Sequence, residues 1–492
     1  MYHSTAAARA SSALLAILVA VLATVGLATP AGAADNSGTK AGPAAVPKVL
    51  RVGTEGVYPP FSFHDPNDKG KLTGYDIEVM NAVGKKLGAK IEYVEIPFDS
   101  IFAALTAKRI DMVANQVTFT PERNALYDLS VPYVDTTVVI VTRKSENSIK
   151  SLKDIKGKKA GESLTSSFGD LAKQNGAKVT GVDDLSQAMS LLRDGRVDVV
   201  VNDKLAVRSY LATTKDDTVK VSGETPEKTK SVLVARKGSG YIQDVNQALV
   251  DLTADGTIKK TYDKYFTATP KTPNSWELIK DNAWPMLKAT LKFTIPLTAI
   301  GFCVGLVIAL FVALARMSSN PIASGAARVY ISIIRGTPLL VQLFIIFFAL
   351  PELGFKINAF PAAAIAFSLN VGGYAAEIIR SAIQSLPKGQ WEAGSTVGMN
   401  YATTLRRIIL PQAARTAVPP LSNTLISLVK DTALASVITV PELLRSAQVV
   451  AAPSGKFLAL YGMAAFYYWV ICLVLSTLQS RTETRLNRFV AS

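Results

Sequence analysis

Arg123 closes the run NQVTFTPER (115–123) and carries a guanidinium, which can hold a carboxylate through two parallel hydrogen bonds. It follows a strand-like stretch at a lobe edge, which makes it a candidate for gripping a small anionic head. An ordinary surface arginine is the competing reading, and on this residue alone the stronger one. Glu55, just ahead of Gly56, can accept from a ligand amide or ammonium, or serve a turn. Tyr58 and Phe98 offer aromatic faces to a ligand or to a core. Asp203 stands directly before KLAVRSYL, where its spacing reads as a helix cap. Other reactive residue types are scarce. The histidines are His3 and His64, and the cysteines are Cys303 and Cys472, both within apolar runs, so neither a metal site nor an extracellular disulfide is expected. The chain has no G-x-x-x-x-G-K-S/T run to cradle the phosphates of ATP.

The elements that would position these residues change character along the 492-residue chain. Residues 1–33 carry Arg9, the apolar run SSALLAILVAVLATVGLA and Ala31-Gly32-Ala33, the pattern of a cleavable secretory signal, with an uncleaved anchor as the alternative. A flexible linker is expected over 34–48. From 49 to 266 strand-like and helix-like segments alternate: LRVGTEG, YDIEVMNAVGKKLG with Asp76 placed to cap it, KIEYVEI, FDSIFAALTAKR, IDMVANQV, and so on to VDVVVND. Such alternation predicts parallel sheet covered by helices. Two lobes fit best, about 47–138 with 236–266 and about 144–230, joined by crossings at TTVVIVTR and KSVLVAR. A Pro-containing linker is expected at 267–285.

The rest, 286–492, is apolar, with five expected spans at about 289–315, 329–350, 359–379, 416–438 and 457–478. Net charge is +15, of which 34–275 hold +4 and 276–492 hold +10. The basic excess sits in the apolar half, as cytoplasmic loops produce, so no nucleic-acid partner is needed to explain it. Export of the first half places its C-terminal end outside, and eleven basic residues then fall on the inner side against six on the outer. Glu377 and Arg380 stand three apart on one helical face and are expected to pair. Asn370, Lys430 or Asp431 is expected to face a path through the membrane, with pairing inside a bundle as the alternative.

By this topology EAGSTVGMNYATTLRRIILP (392–411) is cytoplasmic, and its Val397, Leu405, Ile408 and Ile409 would be exposed without a partner. Gly394 and Gly398 allow close approach of another backbone, and Pro411 is expected to end the segment. The run resembles the EAA loop of bacterial ABC importer permeases through Glu392, Ala393, Gly394, Gly398, Ile408, Leu410 and Pro411; Gly394 replaces the usual second alanine. YISIIRGTPLLVQLF and YAAEIIRSAIQSLPKGQWEA resemble the polar amino-acid branch of those permeases, and the resemblance spans about 285–490. It implies a short helix seated in a separate cytoplasmic ATPase chain that holds ATP and Mg, with no cofactor on this chain. A second permease copy, most simply a two-fold homodimer in the lipid bilayer, would complete the path.

Residues 49–266 resemble the periplasmic-type amino-acid-binding proteins, through VGTEGVYPPFSF, GKLTGYDIEV, VTFTPER, SLKDIKGKKAG and GRVDVVVND. The resemblance implies that Arg123 takes the ligand α-carboxylate with Thr118, and that Asp203 takes the α-ammonium. It further implies that Ser163, Thr165 and Ser166 add donors at a helix start, that Tyr58 and Phe98 stack on the side chain, and that Glu55 tunes its choice. Gln116 belongs to the same candidate set. ANQVT and SLTSS are similar to the cystine-binding branch, with Ser167 where Asn is common. The expected fold is an α/β two-lobe periplasmic-binding-protein fold of type II followed by an all-α membrane permease domain with five transmembrane helices. The expected function is the binding and permease subunit of an ATP-driven amino-acid importer, with cystine ahead of glutamine and other polar or basic amino acids. The chain itself is not expected to be an enzyme. An amino-acid-gated channel and a membrane-tethered sensor are the alternatives. The uninterrupted lobes disfavour the first and the five spans disfavour the second.

Overall fold

A computed structural model describes residues 46–65, 68, 70–267, 274–355 and 357–487. The expected signal segment 1–33 and nearly all of the 34–48 linker lie outside them. The described residues form two compact units, one from 46–287 with 443–464 and one from 288–442 with 465–487.

The first unit is built on one seven-stranded sheet. Its main path runs Val200–Asp203, Val134–Arg143, Val219–Arg236, Met112–Thr118, Val49–Thr54, Lys90–Glu95. Val49–Thr54 pairs in parallel with both of its neighbours, as expected where helices Tyr75–Leu87 and Phe98–Thr106 make the crossovers. Met112–Thr118 is buried at every position, which explains its unbroken apolar-to-neutral run. Val134–Arg143 and the 18-residue strand Val219–Arg236 pair antiparallel along their length and pass from one lobe to the other. These are the two crossings read from the sequence. Register shifts at Val221/Gly223 and Glu224/Lys228 give this shared ribbon places to bend.

The second lobe adds the parallel pair Lys159–Glu162 and Lys178–Gly181, with helices Ser167–Gln174, Leu185–Arg193 and Lys204–Thr214. One expectation changes here. Asp76 is not a cap: Gly74 holds that position, with φ 130, and a Cβ there would meet the Phe61 carbonyl oxygen at 2.2 Å. Asp76 is fully buried in the first helical turn instead, accepting from Gln116 N–H at 2.6 Å and Tyr133 O–H at 2.8 Å.

The second unit is helical. Among the described residues, three helices are long and apolar enough to cross a membrane: Ser275–Met317, Ala359–Gln384 and Phe457–Arg485. The 267–285 linker therefore gives way to helix at Ser275, with 268–273 outside the described residues. Two bent helix pairs bring the number to five only if each is taken as one span. Pro321–Gly336 meets Leu339–Ala349 at 105°, and Tyr401–Ile438 meets Leu443–Ser454 at 50°. The expected span 329–350 is thus broken in the middle. Pro338 forces Thr337 into an extended conformation, φ −118 and ψ 140, and Gln342 Nε2 satisfies the freed Ile334 and Thr337 carbonyls at 2.9 and 3.2 Å.

Helices Ile295–Met317 and Ala359–Gln384 approach closely because Gly301 and Gly305 face Phe367 and Val371, where an added Cβ would stand 3.0 and 2.6 Å away. Three π-helical turns, Thr290–Thr294, Ile345–Ala349 and Leu405–Ile409, each end two residues before a proline, Pro296, Pro351 and Pro411. In each, the N–H of the residue before the proline reaches five residues back. Opening the turn relieves the clash between the proline ring and the preceding carbonyl. Pro411 accordingly does not end its segment; the helical run Tyr401–Ile438 continues through it.

Candidate functional site

The lobes enclose a cleft of about 60 Å³, measured for the centres of water-sized spheres, which is room for roughly four to six waters. Of the sequence candidates, Glu55, Tyr58, Phe98, Gln116, Thr118, Arg123, Ser163 and Ser166 line it. Arg123 is held by Thr118 O at 2.9 Å and, across the cleft, by Thr165 O at 3.3 Å. Its guanidinium lies 5.9 Å from the centre of the Phe98 ring and 5.1 Å from that of Phe102. Burial lowers its pKa from the ordinary arginine value. Thr118 Oγ1 is buried and has no hydrogen-bond partner among the described residues, an uncommon state for a hydroxyl beside a cation. Gln116 occupies the left-handed region, φ 48, a strain that the Asp76 bond to its N–H helps to hold.

The lobe-two wall is made of helix starts. Ser166 caps Ser167–Gln174 by accepting from Gly169 N–H at 3.0 Å, and Asp184 caps Leu185–Arg193 by accepting from Gln187 N–H at 2.8 Å. Thr165 does not line the cleft; it donates to Asp99 Oδ1 through its N–H and its hydroxyl, as the Ser163 hydroxyl also does. Asp203 is the helix cap that its spacing predicts. Its Oδ1 accepts from Leu205 and Ala206 N–H at 2.7 and 3.0 Å, and its Oδ2 accepts from Gln116 Nε2 at 2.8 Å. Fully buried and off the cleft wall, it ties the lobes together through Gln116. Tyr58 does the same by donating to Asn202 Oδ1 at 2.7 Å.

Glu162, Asp183, Asp184 and Asn202 also line the cleft and were not singled out in the sequence. The Asp-Asp pair ahead of an amphipathic helix was a readable cap signal, whereas Glu162 ends a short strand and carries no local mark. With Glu55, the three acids among them bring four carboxyl groups to the cleft that Arg123 also lines. Burial pushes Glu55 up to about 7 and Asp184 up to about 6, and drives Glu162 well above the carboxylate range. Asp76 and Asp203 are likewise raised by burial, to about 7 and about 6.

Because the folded values exceed the unfolded ones, near 4, the stability these groups contribute is complete below about pH 4. It is lost as pH rises through 6 to 7. Hydrogen exchange on the ligand-free full chain is expected to show protection in 49–266 falling between pH 5 and pH 8 after correction for intrinsic rates. Constant protection would contradict the assignment.

Two protein families match the chain, one in each half. Residues 50–268 match the bacterial extracellular solute-binding proteins, family 3, and 282–488 match the binding-protein-dependent transport system inner membrane component. The second stretch is similar to the L-cystine transport system permease protein TcyB of Bacillus subtilis, 54% identical over 217 residues, covering 44% of this chain and 93% of that protein. The first is similar to the L-cystine-binding protein TcyA of the same organism, 48% identical over 219 residues, covering 44% of this chain and 81% of that protein. The glutamine transport system permease protein GlnP of Escherichia coli is 41% identical over 207 residues, covering 42% of this chain and 94% of that protein. The chain belongs to the binding-protein-dependent importers. It unites the importer's solute-binding protein and its membrane component in one polypeptide.

In the importer's membrane half, the loop motif folds as two helices, Gly389–Thr396 and the start of the run from Tyr401, about Gly398 at φ 74. A Cβ on Gly394 would meet Thr404 Cγ2 at 2.6 Å, which accounts for glycine where alanine is usual. Leu405 and Ile409, expected to be exposed, are buried against Ala382, Ile383 and Ala413, with Ile408 and Leu410 packed beside them. Of the residues singled out in this segment, Glu392, Ala393, Val397, Gly398 and Pro411 are exposed. Elsewhere in this unit a cavity of about 520 Å³ is lined by Asn370, Tyr374, Thr424, Ser427 and Asp431 among others; Lys430 is exposed and lies off it. Arg380 and Glu377 pair at 2.7 Å, as expected.

Proposed function

We propose that this importer chain captures L-cystine outside the membrane and passes it through its own permease half. The motion is driven by ATP and Mg on separate cytoplasmic ATPase chains. The observation that carries the reading is the cleft itself: Arg123, Glu55 and the Thr118 hydroxyl, which has no partner among the described residues, come from lobe one, and the acids Glu162, Asp183 and Asp184 come from lobe two. A zwitterion needs one cation and one anion at short separation. Cystine carries two amino-acid heads, and the carboxyl oxygens of the cleft offer acceptors to its second ammonium, whose charge also favours their ionised form. The Val134–Arg143 and Val219–Arg236 ribbon joins the lobes, and parting along it would widen the cleft for the second head. The names of TcyA and TcyB support cystine over glutamine. Calorimetry on the full chain in lipid nanodiscs is expected to rank L-cystine above L-glutamine and L-arginine. Tightest binding of glutamine would favour the second reading, and no binding of any amino acid would overturn both.

The exposed face of Glu392, Ala393, Val397 and Gly398 supports seating in an ATPase chain. Two permease copies related by a two-fold axis are the simplest complete path. The basic residues of the expected inner loops support a cytoplasmic C-terminus and an external binding half. The cavity holding Asn370 and Asp431 supports a polar route through the spans. Asp431→Lys is expected to abolish uptake while surface expression and cystine binding persist, and uptake at the parent rate would remove Asp431 from the route.

A further inference from the structure

The helix Leu443–Ser454 belongs by sequence to the membrane component, yet it packs within the same compact unit as the two binding lobes. Arg445 on it is buried, and its Nη2 donates to the Glu55 carbonyl at 3.0 Å and to Glu95 Oε2 at 3.2 Å. Both acceptors belong to lobe one. Glu55 also lines the cleft, with its carboxylate accepting from Asn115 Nδ2 at 2.6 Å. Glu95 is fixed from its other oxygen by His64 Nε2 at 2.9 Å, so it presents a positioned acceptor to Arg445. One and a half to two turns further along the same helix, the Ala452 carbonyl accepts from the Ser186 hydroxyl of lobe two at 2.6 Å. Gly455, just past the helix end, sits against Thr214 of lobe two so closely that a Cβ would stand 2.6 Å from Thr214 Cγ2.

We infer that Leu443–Ser454 is a clamp across both lobes, in which Arg445 holds lobe one beside the ligand cleft while the far end of the same helix holds lobe two. A rigid helix bonded at both ends fixes the separation of what it touches, and only one lobe arrangement satisfies both anchors. The clamp therefore favours the closed lobes whether or not ligand is present, and adds to the stabilisation that ligand brings. It also makes release of the clamp a requirement for opening. Because Arg445 bonds the peptide of Glu55, movement of this helix is transmitted to the cleft wall without an intermediate residue. Arg445 is a positioning residue here, acting through Glu55 and Glu95. The inference rests on the cleft being the amino-acid site only for its consequence, not for its geometry.

The test measures the distance between spin labels at Lys85→Cys in lobe one and Lys153→Cys in lobe two, in the full chain in nanodiscs with Cys303 and Cys472 changed to Ser. Without ligand, the parent chain is expected to show a single short distance. Arg445→Gln is expected to add a longer population, Glu95→Gln to add the same one, and Arg445→Lys to retain the short distance at least in part. If both neutral variants keep the parent distribution, the clamp is overturned. Addition of L-cystine to the opened variants reads the cleft separately: closure supports the amino-acid site, and its absence counts against that site while leaving the clamp result standing.

Discussion

Arg123→Ala in the full chain weakens L-cystine binding by about 2–5 kcal/mol, the cost of truncating one partner of a buried hydrogen-bonded charge pair. That is a loss of roughly 30-fold to several thousand-fold in Kd. The expectation rests on the position of Arg123 in the cleft lining, braced by the Thr118 and Thr165 carbonyls and by the rings of Phe98 and Phe102. The bracing means that little side-chain entropy remains to be lost on binding. Lysine does not replace it, because an ammonium lacks the planar fork that engages both carbonyls and a carboxylate at once. Arg123→Lys is therefore expected to recover only a small part of the loss. Calorimetry with L-cystine reads both variants, and an affinity within threefold of the parent (~0.65 kcal/mol) for Arg123→Ala would remove Arg123 from the site.

Gly398→Asp separates binding from transport. Gly398 lies at φ 74, and a Cβ there would meet nothing within 4 Å, so the substitution adds modest backbone strain and no internal clash. Its neighbours Glu392, Ala393 and Val397 are exposed, Val397 at 70%, while the apolar residues that the chain needs for its own packing, Leu405 and Ile409, point inward. A side chain on this turn thus disturbs an external partner and not the fold. ATP-driven uptake is expected to fall by about tenfold or more, the scale of a lost interface hot spot, with cystine binding unchanged. Equal loss of both would mean that the loop serves the fold, and loss of neither would leave the ATPase surface elsewhere.

The parts of this molecule that were readable in sequence are those fixed by local rules. Alternating segments gave the sheet and its helices, and the long apolar-then-polar strand texture of TTVVIVTR and KSVLVAR marked the crossings between lobes. The cap position of Asp203 was legible because capping depends on one residue and the three that follow. Its proposed ammonium role came from resemblance, and the structure instead shows both of its oxygens engaged within the protein. The acids of the cleft were illegible for the opposite reason. The fold of lobe two brings Glu162 and Asp184 together, and Glu55 reaches the same cleft from lobe one, more than 100 positions earlier. Hydropathy averaged over twenty residues passed over the break at Pro338, although Gly336-Thr337-Pro338 carried its signal. Arg445 was counted as one more outer-side charge, since nothing in its flanking residues announces a partner at Glu95, which stands 350 positions earlier.

The central claim is that amino-acid capture by the binding half is tied to ATP-driven passage through the membrane half of the same polypeptide. Proteoliposomes containing this chain with its ATPase chains, given L-cystine on the binding side, test it most directly. Accumulation against a gradient that requires ATP and disappears in Arg123→Ala is the predicted result. Downhill flux independent of ATP, or no accumulation despite tight cystine binding, would contradict the claim.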